Sequence, residues 1–347
     1  MSAFGGWQLN AKFLEGYNLR KRKDAATILA FEALGEERYH KVASAMCECA
    51  PTLQIIAERG ANPKGLSLKT ILGFRCKKRL CQICNQVRSS VVFAKAAPRF
   101  EQALAEHPGA RLLLITLTAG QTVPLDQIRV TCRRISKAVR KMRQTKDWKN
   151  AFIGDMRAIE VTINHEAGRA HCHTHIAVIA RPGYFSKRND YYLPQERLLV
   201  QWRRKMADPS IEIVDTRAVR PKKPGMPLTS ALTEVCKYPL SPAPKKGLWH
   251  SDGQGGFVVD PQTLKAVHDG LRGLRLYAFG GVLRAAAREI EAIDRVDGEW
   301  AITDEHLARL MAGDFDPEPF AGFDFIWNDE EYVAWHPFRV MGVNDAA

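Results

Sequence analysis

Hydrophobic positions follow two different periods along the chain, and together they predict interleaved strands and helices. The unbroken apolar run at 112–118 (LLLITLT) is typical of a short, buried strand. The segments 156–164 (MRAIEVTIN) and 171–180 (HCHTHIAVIA) also have the character of strands, and the short loop between them favours a hairpin. Between residues 128 and 142 the apolar side chains recur at helical spacing, which predicts an amphipathic helix.

The rest of the chain carries weaker signals of the same kinds. We expect a helical region over 1–45, a helix at 194–206 and a strand at 211–219. A short helix should begin at Thr229 and end near Tyr238, because Pro239 follows. A linker at 241–256 and a mostly helical region over 261–293, broken at Gly280-Gly281, should come after it. This pattern indicates the α/β (α+β) class, with a compact sandwich built on a mixed or antiparallel sheet. The sequence has no glycine-rich phosphate loop and no dinucleotide fingerprint.

Charge is unevenly distributed along the 347 residues, whose formal net charge is +13. From Glu289 to the C-terminus there are 15 acidic and 3 basic residues, which leaves 23 acidic and 48 basic residues before that point. A body this basic favours binding to nucleic acid, although solubility charge on scattered faces is an alternative. The helix at 128–142 carries candidate DNA-binding side chains, which a solvated helix face explains equally well: Arg133, Arg134, Lys137, Arg140 and Lys141.

Cysteine usage points to a metal. The sequence contains neither a membrane-spanning run nor the apolar core of a signal peptide, so we expect a cytoplasmic protein without a membrane partner. In that compartment the eight cysteines argue against a disulfide framework. Cys76, Cys81 and Cys84 would form a closed structural Zn²⁺ site with one more thiolate, from Cys49 or Cys47. Ordinary buried cysteines are the alternative.

Three of the ten histidines lie within five residues of one predicted strand. Because side chains alternate along a strand, His171, His173 and His175 project from the same face. Neutral imidazoles suit a first-row divalent metal, and a carboxylate beside them would favour Mg²⁺ or Mn²⁺. Glu160 on the partner strand is the natural candidate, with His171 as the other possible third ligand. A strand that is merely rich in histidine is the alternative.

Glu234 and Tyr238 are four residues apart, so on a helix they share a face and can address one reacting group. A tyrosine can attack phosphorus as a covalent nucleophile, and a nearby carboxylate can serve as general base. Lys237 could neutralise a phosphate or lower the pKa of the phenol. A Glu/Tyr pair at this spacing is more often structural, so its weight depends on the other motifs.

Taken together, these motifs resemble the plasmid rolling-circle replication initiators of the HUH endonuclease superfamily. LLLITLT is similar to the family's first motif, His173-Thr174-His175 to its His-hydrophobic-His motif, and the segment 234–239 (EVCKYP) to its tyrosine motif, in the same order. Thr174 stands where a larger apolar residue is usual, and His171 has no fixed counterpart in the family.

Two further segments extend the resemblance over roughly residues 40 to 290. The cysteine segment at 74–84 (FRCKKRLCQIC) is similar to the family's cysteine box, and Cys49 is preferred as the fourth ligand because Leu53 then falls at the family's spacing. The stretch 274–281 (LRLYAFGG) resembles the family's Gly-Gly signature. The acidic tail after Glu289 is not explained by the resemblance.

The resemblance implies an HUH-type nuclease sandwich, with a central, mainly antiparallel sheet flanked by helices and a small zinc-binding N-terminal segment. It implies that Tyr238 nicks one strand of origin DNA, leaving a 5′-phosphotyrosine and a 3′-OH primer, and that Glu234 serves the closing hydrolysis. The implied partners are plasmid origin DNA, unpaired or in a hairpin at the nick, and a host helicase and polymerase. A single-tyrosine transposase or relaxase is the nearest alternative, and a non-enzymatic zinc-ribbon DNA-binding regulator is an alternative of another class.

We therefore divide the chain into a basic helical N-terminal region (1–45), a cysteine-rich zinc segment (46–95), a nuclease domain (96–245), a helical part (246–293) and an acidic, aromatic tail (294–347). Many aromatic side chains follow Asp314 in this tail. Because aromatic rings favour burial, we expect the tail to dock on the basic body as an extra layer, with binding of a host replication protein as the alternative.

Overall fold

The computed structural model describes residues 11–59, 66–186, 188–219, 232–236, 247–286 and 319–339. The helices are α1 (Ala11–Glu32), α2 (Glu37–Cys47), α3 (Gln82–Glu106), α4 (Ile128–Met142), α5 (Lys146–Ala151), α6 (Gln195–Met206), α7 (Leu232–Cys236) and α8 (Pro261–Leu271). The strands are β1 (Thr52–Arg59), β2 (Leu66–Leu72), β3 (Arg111–Thr118), β4 (Val123–Pro124), β5 (Phe152–Asn164), β6 (Arg169–Ala180), β7 (Val214–Ala218), β8 (His250–Ser251), β9 (Phe257–Val258), β10 (Tyr277–Gly281), β11 (Pro319–Trp327) and β12 (Tyr332–Arg339). Among these residues, none of the helices combines the length and the apolar character that crossing a bilayer requires.

The chain forms two compact units. Unit 1 comprises residues 1–86, 251–261 and 302–347, and unit 2 comprises residues 87–250 and 262–301. Unit 1 is therefore drawn from three separate stretches of sequence, including both ends of the chain.

Unit 2 is built on a sheet whose strand order is β10-β5-β6-β3-β7, with β4 beside β6. Every neighbouring pair in this sheet is antiparallel. The predicted strand at 112–118 corresponds to β3, and the predicted hairpin corresponds to β5 and β6. These elements confirm the expected α/β class with an antiparallel central sheet and flanking helices.

The sheet of unit 2 has two faces, which we name by what lies on them. The apolar positions of α4 are buried as the helical period predicts, and Cys132 Sγ lies 4.0 Å from Cys172 Sγ on β6. Because side chains alternate along a strand, Cys172 and the histidines beside it point to opposite sides. The α4 face therefore carries Cys172, and the histidine face carries His171, His173 and His175.

The segment 261–293 corrects one expectation. The pattern predicts a mostly helical segment, and α8 and the 3₁₀ turn Val282–Ala286 are helical, but the strand β10 lies between them and pairs with β5 at the edge of the sheet. Tyr277 and Phe279 are aromatic residues that favour strands. Their partners on β5 lie more than a hundred residues earlier in the chain, so the local pattern does not reveal the pairing.

Gly281 closes β10 in a conformation that excludes a side chain. Its φ is +60°, and a Cβ atom added there would lie 2.0 Å from the carbonyl oxygen of Ile153. Gly281→Ala should therefore lower the free energy of unfolding by about 3 kcal/mol, which combines the strained φ with a backbone collision. Chemical denaturation of the purified protein measures this loss.

Gly273→Ala is the matched control for that substitution. Gly273 has a similar φ of +65°, but nothing lies within 4 Å of a Cβ added there. Its replacement by alanine should lower the free energy of unfolding by about 1 kcal/mol, because only the strained φ contributes. Equal losses for the two variants would show that the close approach to Ile153 is unimportant.

Unit 1 contains an antiparallel sheet whose strand order is β12-β11-β1-β2. Leu53 on β1 is fully buried against Phe325 and Tyr332, which come from the C-terminal hairpin. The described part of the aromatic tail is thus a pair of strands of this sheet. The local pattern predicts neither β1 nor β2. β1 pairs with β11, which lies far away in the chain, and β2 pairs with the other edge of β1.

Candidate functional site

A group of three potential metal ligands lies on the histidine face of unit 2. The β5–β6 register pairs Glu160 with His173 and Ala158 with His175, so the carboxylate lies beside both imidazoles. Glu160 Oε2 is 3.4 Å from His173 Nε2 and 3.2 Å from His175 Nε2. One ligand atom from each residue lies within 4.8 Å of the others, and all three residues are half-buried. The geometry brings these three predicted residues together.

The electrostatics of this triad keep Glu160 ionised. Burial raises the pKa of the carboxyl, but hydrogen bonds from His173 and His175 and the charges of these rings outweigh it, so the pKa falls to about 2. Two imidazole nitrogens and one carboxylate oxygen form a mixed donor set that suits a first-row divalent metal or Mg²⁺. Because three protein ligands leave other coordination positions open, a substrate oxygen could bind there as well.

Thr116 orients one of the two imidazoles. It pairs in register with His175, and its Oγ1 lies 3.0 Å from His175 Nδ1. This contact holds the ring so that Nε2 points at Glu160, the arrangement that a metal-binding histidine needs. The sequence analysis identified the LLLITLT strand but not this role of Thr116. His173 differs, because its buried Nδ1 has no hydrogen-bond partner within the part of the chain that the structure describes.

We expect Thr116→Val to weaken Mn²⁺ binding by about 10- to 100-fold, because the ring of His175 loses the partner that orients it. Isothermal titration of the protein with Mn²⁺ measures the change. Thr118→Val is the matched control, since Thr118 pairs with His173 on the same face but makes no bond to its ring. If both variants bind Mn²⁺ equally well, Thr116 does not orient a ligand.

The remaining residues of the histidine motif have other surroundings. His171 is not one of the grouped ligand atoms, and its ring stacks on that of His173 with the centroids 5.4 Å apart. Thr174, which departs from the usual apolar residue, points to the α4 face and is fully buried. Its hydroxyl donates to the carbonyl of Ala158 at 2.7 Å, so the polar group is satisfied.

The helix that precedes Tyr238 packs on the histidine face. Tyr277 pairs with Ala158 and therefore shares the face of His175, and its hydroxyl donates to the carbonyl of Cys236 at 3.1 Å. The apolar residues of α7 are buried, and burial raises the pKa of the Cys236 thiol to about 12. Lys237 and Tyr238 lie outside the described residues, as does the side chain of Glu234.

In unit 1, four cysteines converge as a second group of potential ligands. Cys49, Cys76, Cys81 and Cys84 are all buried. Three of their Sγ–Sγ separations are 3.5, 3.6 and 3.7 Å. A tetrahedral site with metal–sulfur bonds of about 2.3 Å has edges of about 3.8 Å, so the thiol arrangement fits a Zn²⁺ ion. Cys47 is exposed and takes no part, which distinguishes between the two candidates for the fourth ligand.

The surroundings of this cysteine cluster favour a thiolate at Cys49, whereas a hydrogen bond with Cys49 raises the pKa of the Cys76 thiol and burial raises that of the Cys81 thiol. Hydrogen bonds from Cys76, Cys81 and Cys84 hold the pKa of the Cys49 thiol well below its ordinary value. Backbone N–H groups also point at the sulfurs, with Lys77 N 3.2 Å from Cys84 Sγ. Such bonds stabilise sulfur that carries negative charge.

Asp24 is a neighbour of the cysteine cluster that the sequence analysis missed. Its buried carboxylate accepts hydrogen bonds from the N–H groups of Gln82 and Ile83 at 2.6 and 3.4 Å, and so caps the start of α3. Burial raises the pKa of Asp24 to about 7 despite these bonds. No local motif distinguishes this aspartate, because it caps a helix that begins 58 residues later.

Residues 68–332 match the model of a family described as Replication protein. The chain belongs to this replication protein family. The matched region contains the triad and three of the four clustered cysteines, while Cys49 precedes it.

Individual members of the replication protein family are similar to the chain over most of its length. A protein named "Protein rep" from Streptococcus pneumoniae is 27% identical over 265 residues, which cover 76% of this chain and 77% of that protein. A "Protein rep" from Bacillus amyloliquefaciens is 27% identical over 339 residues, 92% of this chain and 91% of that protein. Another, from Lactiplantibacillus plantarum, is 26% identical over 274 residues, 78% of this chain and 83% of that protein. No solved structure gives a significant match.

The candidate DNA-binding residues of this replication protein all lie exposed on α4: Arg133, Arg134, Lys137, Arg140 and Lys141. They do not form one group. Arg133, Lys137 and Arg140 line a single concavity, whereas Arg134 forms an ion pair with Asp208 at 3.4 Å. The five cations therefore form two sets: Arg133, Lys137 and Arg140 line the concavity, whereas Arg134 and Lys141 do not. Substitutions in the two sets can be compared directly.

Proposed function

We propose that this replication protein initiates rolling-circle replication of a plasmid by nicking one strand at the origin, with Tyr238 as nucleophile. The observation that carries the proposal is the triad of Glu160, His173 and His175, on the sheet face against which α7 packs. Tyr238 follows the last residue of α7 by two positions, so the described structure is compatible with a tyrosine that reaches the triad.

The proposed reaction is a transfer of the phosphoryl group from DNA to the tyrosine. The phenol of Tyr238 gives up its proton and its oxygen forms a bond to phosphorus, while the bond from phosphorus to the 3′ oxygen breaks and that oxygen takes up a proton. The products are a 5′-phosphotyrosine link and a 3′-OH that a polymerase can extend. A divalent cation bound by the triad would offset the negative charge that develops on the phosphate.

Two side chains near Tyr238 have supporting roles in the proposal. Lys237 would stabilise the phenolate or the phosphate by its positive charge. Glu234 would accept a proton from the water molecule that ends the cycle by hydrolysis. Glu160 is the third metal ligand in this scheme, and His171 is left as a residue beside the site.

The substrate in this proposal is origin DNA that is unpaired at the nick, because a duplex hides the phosphate from the tyrosine. A hairpin or negative supercoiling would supply the unpaired strand. A host helicase would then open the duplex ahead of the 3′ end, and a host polymerase would extend it.

The deciding experiment incubates the protein with a supercoiled plasmid that carries its own gene, with and without Mn²⁺. The expected product is a nicked circle with protein attached at a 5′ end, formed only when the metal is present. Tight duplex binding without any covalent adduct would instead favour a DNA-binding regulator, and strand exchange between element ends would favour a transposase.

A further inference from the structure

A basic concavity lies on the α4 face of unit 2. It is a concavity of about 720 Å³, bordered by α4 and by the segment around β10. Arg133, Lys137 and Arg140 contribute from α4, where the spacings of four and three residues place them in one row along the helix. Arg275 and Arg284 contribute from the segment around β10. We call this feature the rear concavity.

The floor of the rear concavity is a fixed arrangement of two more guanidinium groups. Arg157 is 4% exposed and donates to Ser136 Oγ at 2.7 Å and to the carbonyl of Arg275 at 3.2 Å. Arg143 forms an ion pair with Asp155 and donates to the carbonyl of Ala278 at 3.2 Å. These side chains are held in place before any ligand arrives, which reduces the entropy lost on binding.

Gly280 makes this floor possible. A Cβ atom added there would lie 2.5 Å from Asp155 Oδ2 and 3.0 Å from Arg143 Nε. The glycine therefore leaves room for the ion pair directly against the backbone of β10.

The charged side chains that line the rear concavity are all positive among the described residues. Seven of its lining residues are arginine or lysine, and no acidic residue lines it among those that the structure describes. Asp155 lies beneath the floor and is buried, and its carboxylate faces the guanidinium groups of Arg143 and Arg157. A surface of this kind attracts a polyanion.

The rear concavity and the triad are on opposite sides of one sheet. Arg157 and Glu160 are both on β5 but are three positions apart, so their side chains point to opposite faces. The phosphate that the triad would address therefore cannot contact the rear concavity at the same time. Nucleic acid bound there would have to be a different segment from the one at the triad.

The lining favours double-stranded DNA over unpaired nucleotides. Proteins that bind single strands combine positive charge with exposed aromatic rings on which bases stack. Phe279 is the aromatic residue among those that line the concavity, and it is only 5% exposed. Arginine and lysine without stacking partners suit the phosphate backbone, which is recognised without regard to sequence.

We propose that the rear concavity binds the phosphate backbone of the duplex that flanks the nick, while the unpaired strand lies on the histidine face. The assignment rests on the proposed function for the identity of the DNA. It gives the protein two separate DNA sites, one for chemistry and one for holding the origin.

Two double variants with equal charge loss test the proposal. Arg133→Ala/Lys137→Ala removes one arginine and one lysine from the concavity, and Arg134→Ala/Lys141→Ala removes one of each from the rest of α4. Binding of each protein to a labelled origin duplex is measured by fluorescence anisotropy over a range of salt concentrations. Cutting of a short unpaired oligonucleotide that contains the nick site, with Mn²⁺, is measured in parallel.

The concavity variant should bind the duplex roughly 10- to 100-fold more weakly, with a salt slope smaller by about 2, while it still cuts the oligonucleotide. The other variant should change the slope by less than about 1. Arg133→Lys/Lys137→Arg, which preserves the charge, should retain the normal slope.

Equal losses in the two double variants would overturn the proposal, because they would reflect general electrostatics. Unchanged duplex binding by the concavity variant would overturn it as well. If the unsubstituted protein fails to cut the oligonucleotide, the proposed nuclease function is wrong, yet the duplex-binding comparison still decides whether the concavity binds DNA.

Discussion

Tyr238→Phe should reduce the rate of nicking by at least about 10³-fold and abolish the covalent protein–DNA adduct, because only the phenol oxygen can form the bond to phosphorus. Origin binding should be nearly unchanged, since the substitution leaves the triad and every cation of α4 in place. Cleavage of a 5′-labelled and a 3′-labelled origin strand, resolved on denaturing gels, measures the nick and the adduct separately.

Glu234→Ala serves as the comparison for that result. If Glu234 acts only in the closing hydrolysis, this variant still nicks and accumulates the adduct, because release is the step that fails. A covalent adduct formed by Tyr238→Phe would show that another residue is the nucleophile. Equal loss of nicking and release in Glu234→Ala would make that residue a metal ligand or a structural group.

Cys84→Ser should remove tightly bound zinc from the protein and destabilise unit 1 by about 4 kcal/mol or more, because metal binding and folding are coupled when a site is closed by four thiolates. Cys84 Sγ lies within 3.7 Å of both Cys49 Sγ and Cys76 Sγ, so its loss opens the tetrahedron. Atomic absorption measures the zinc content, and thermal unfolding measures the stability.

Cys47→Ser is the matched control, since Cys47 is exposed and lies outside the group of four. It should keep one zinc per chain and the unfolding temperature of the original protein. Were Cys84→Ser to melt normally after purification with a chelator, the four cysteines would be ordinary core residues.

Local sequence patterns predicted the parts of the fold that are continuous in the chain. The strand β3, the β5–β6 hairpin and α4 each depend on a period that is visible within about fifteen residues. The hairpin also explains why Glu160 could be predicted as a third ligand, because the short loop fixes which residue of β5 lies opposite His173. The group of Cys76, Cys81 and Cys84 was visible for the same reason.

Features that depend on distant pairing could not be predicted in this way. The local pattern predicts a helical region where β10 lies, although β10 completes the edge of the sheet and supplies Tyr277, which contacts α7. The rear concavity combines α4 with arginines that lie more than a hundred residues later. Thr116 and Asp24 act on partners that only the folded backbone brings within reach.

Unit 1 is assembled from distant stretches of the sequence, and this has a consequence while the chain is being synthesised on the ribosome. The hydroxyl of Tyr332 donates to the carbonyl of Ala50 at 2.6 Å, across 282 residues of sequence. β1 likewise gains its neighbour β11 only after residues 319–327 have been translated. Until then one long edge of β1 lacks that partner, and unpaired edges invite association with other chains. Premature termination before Pro319 would therefore leave a nascent chain prone to aggregation, even though both groups of potential metal ligands had already been made.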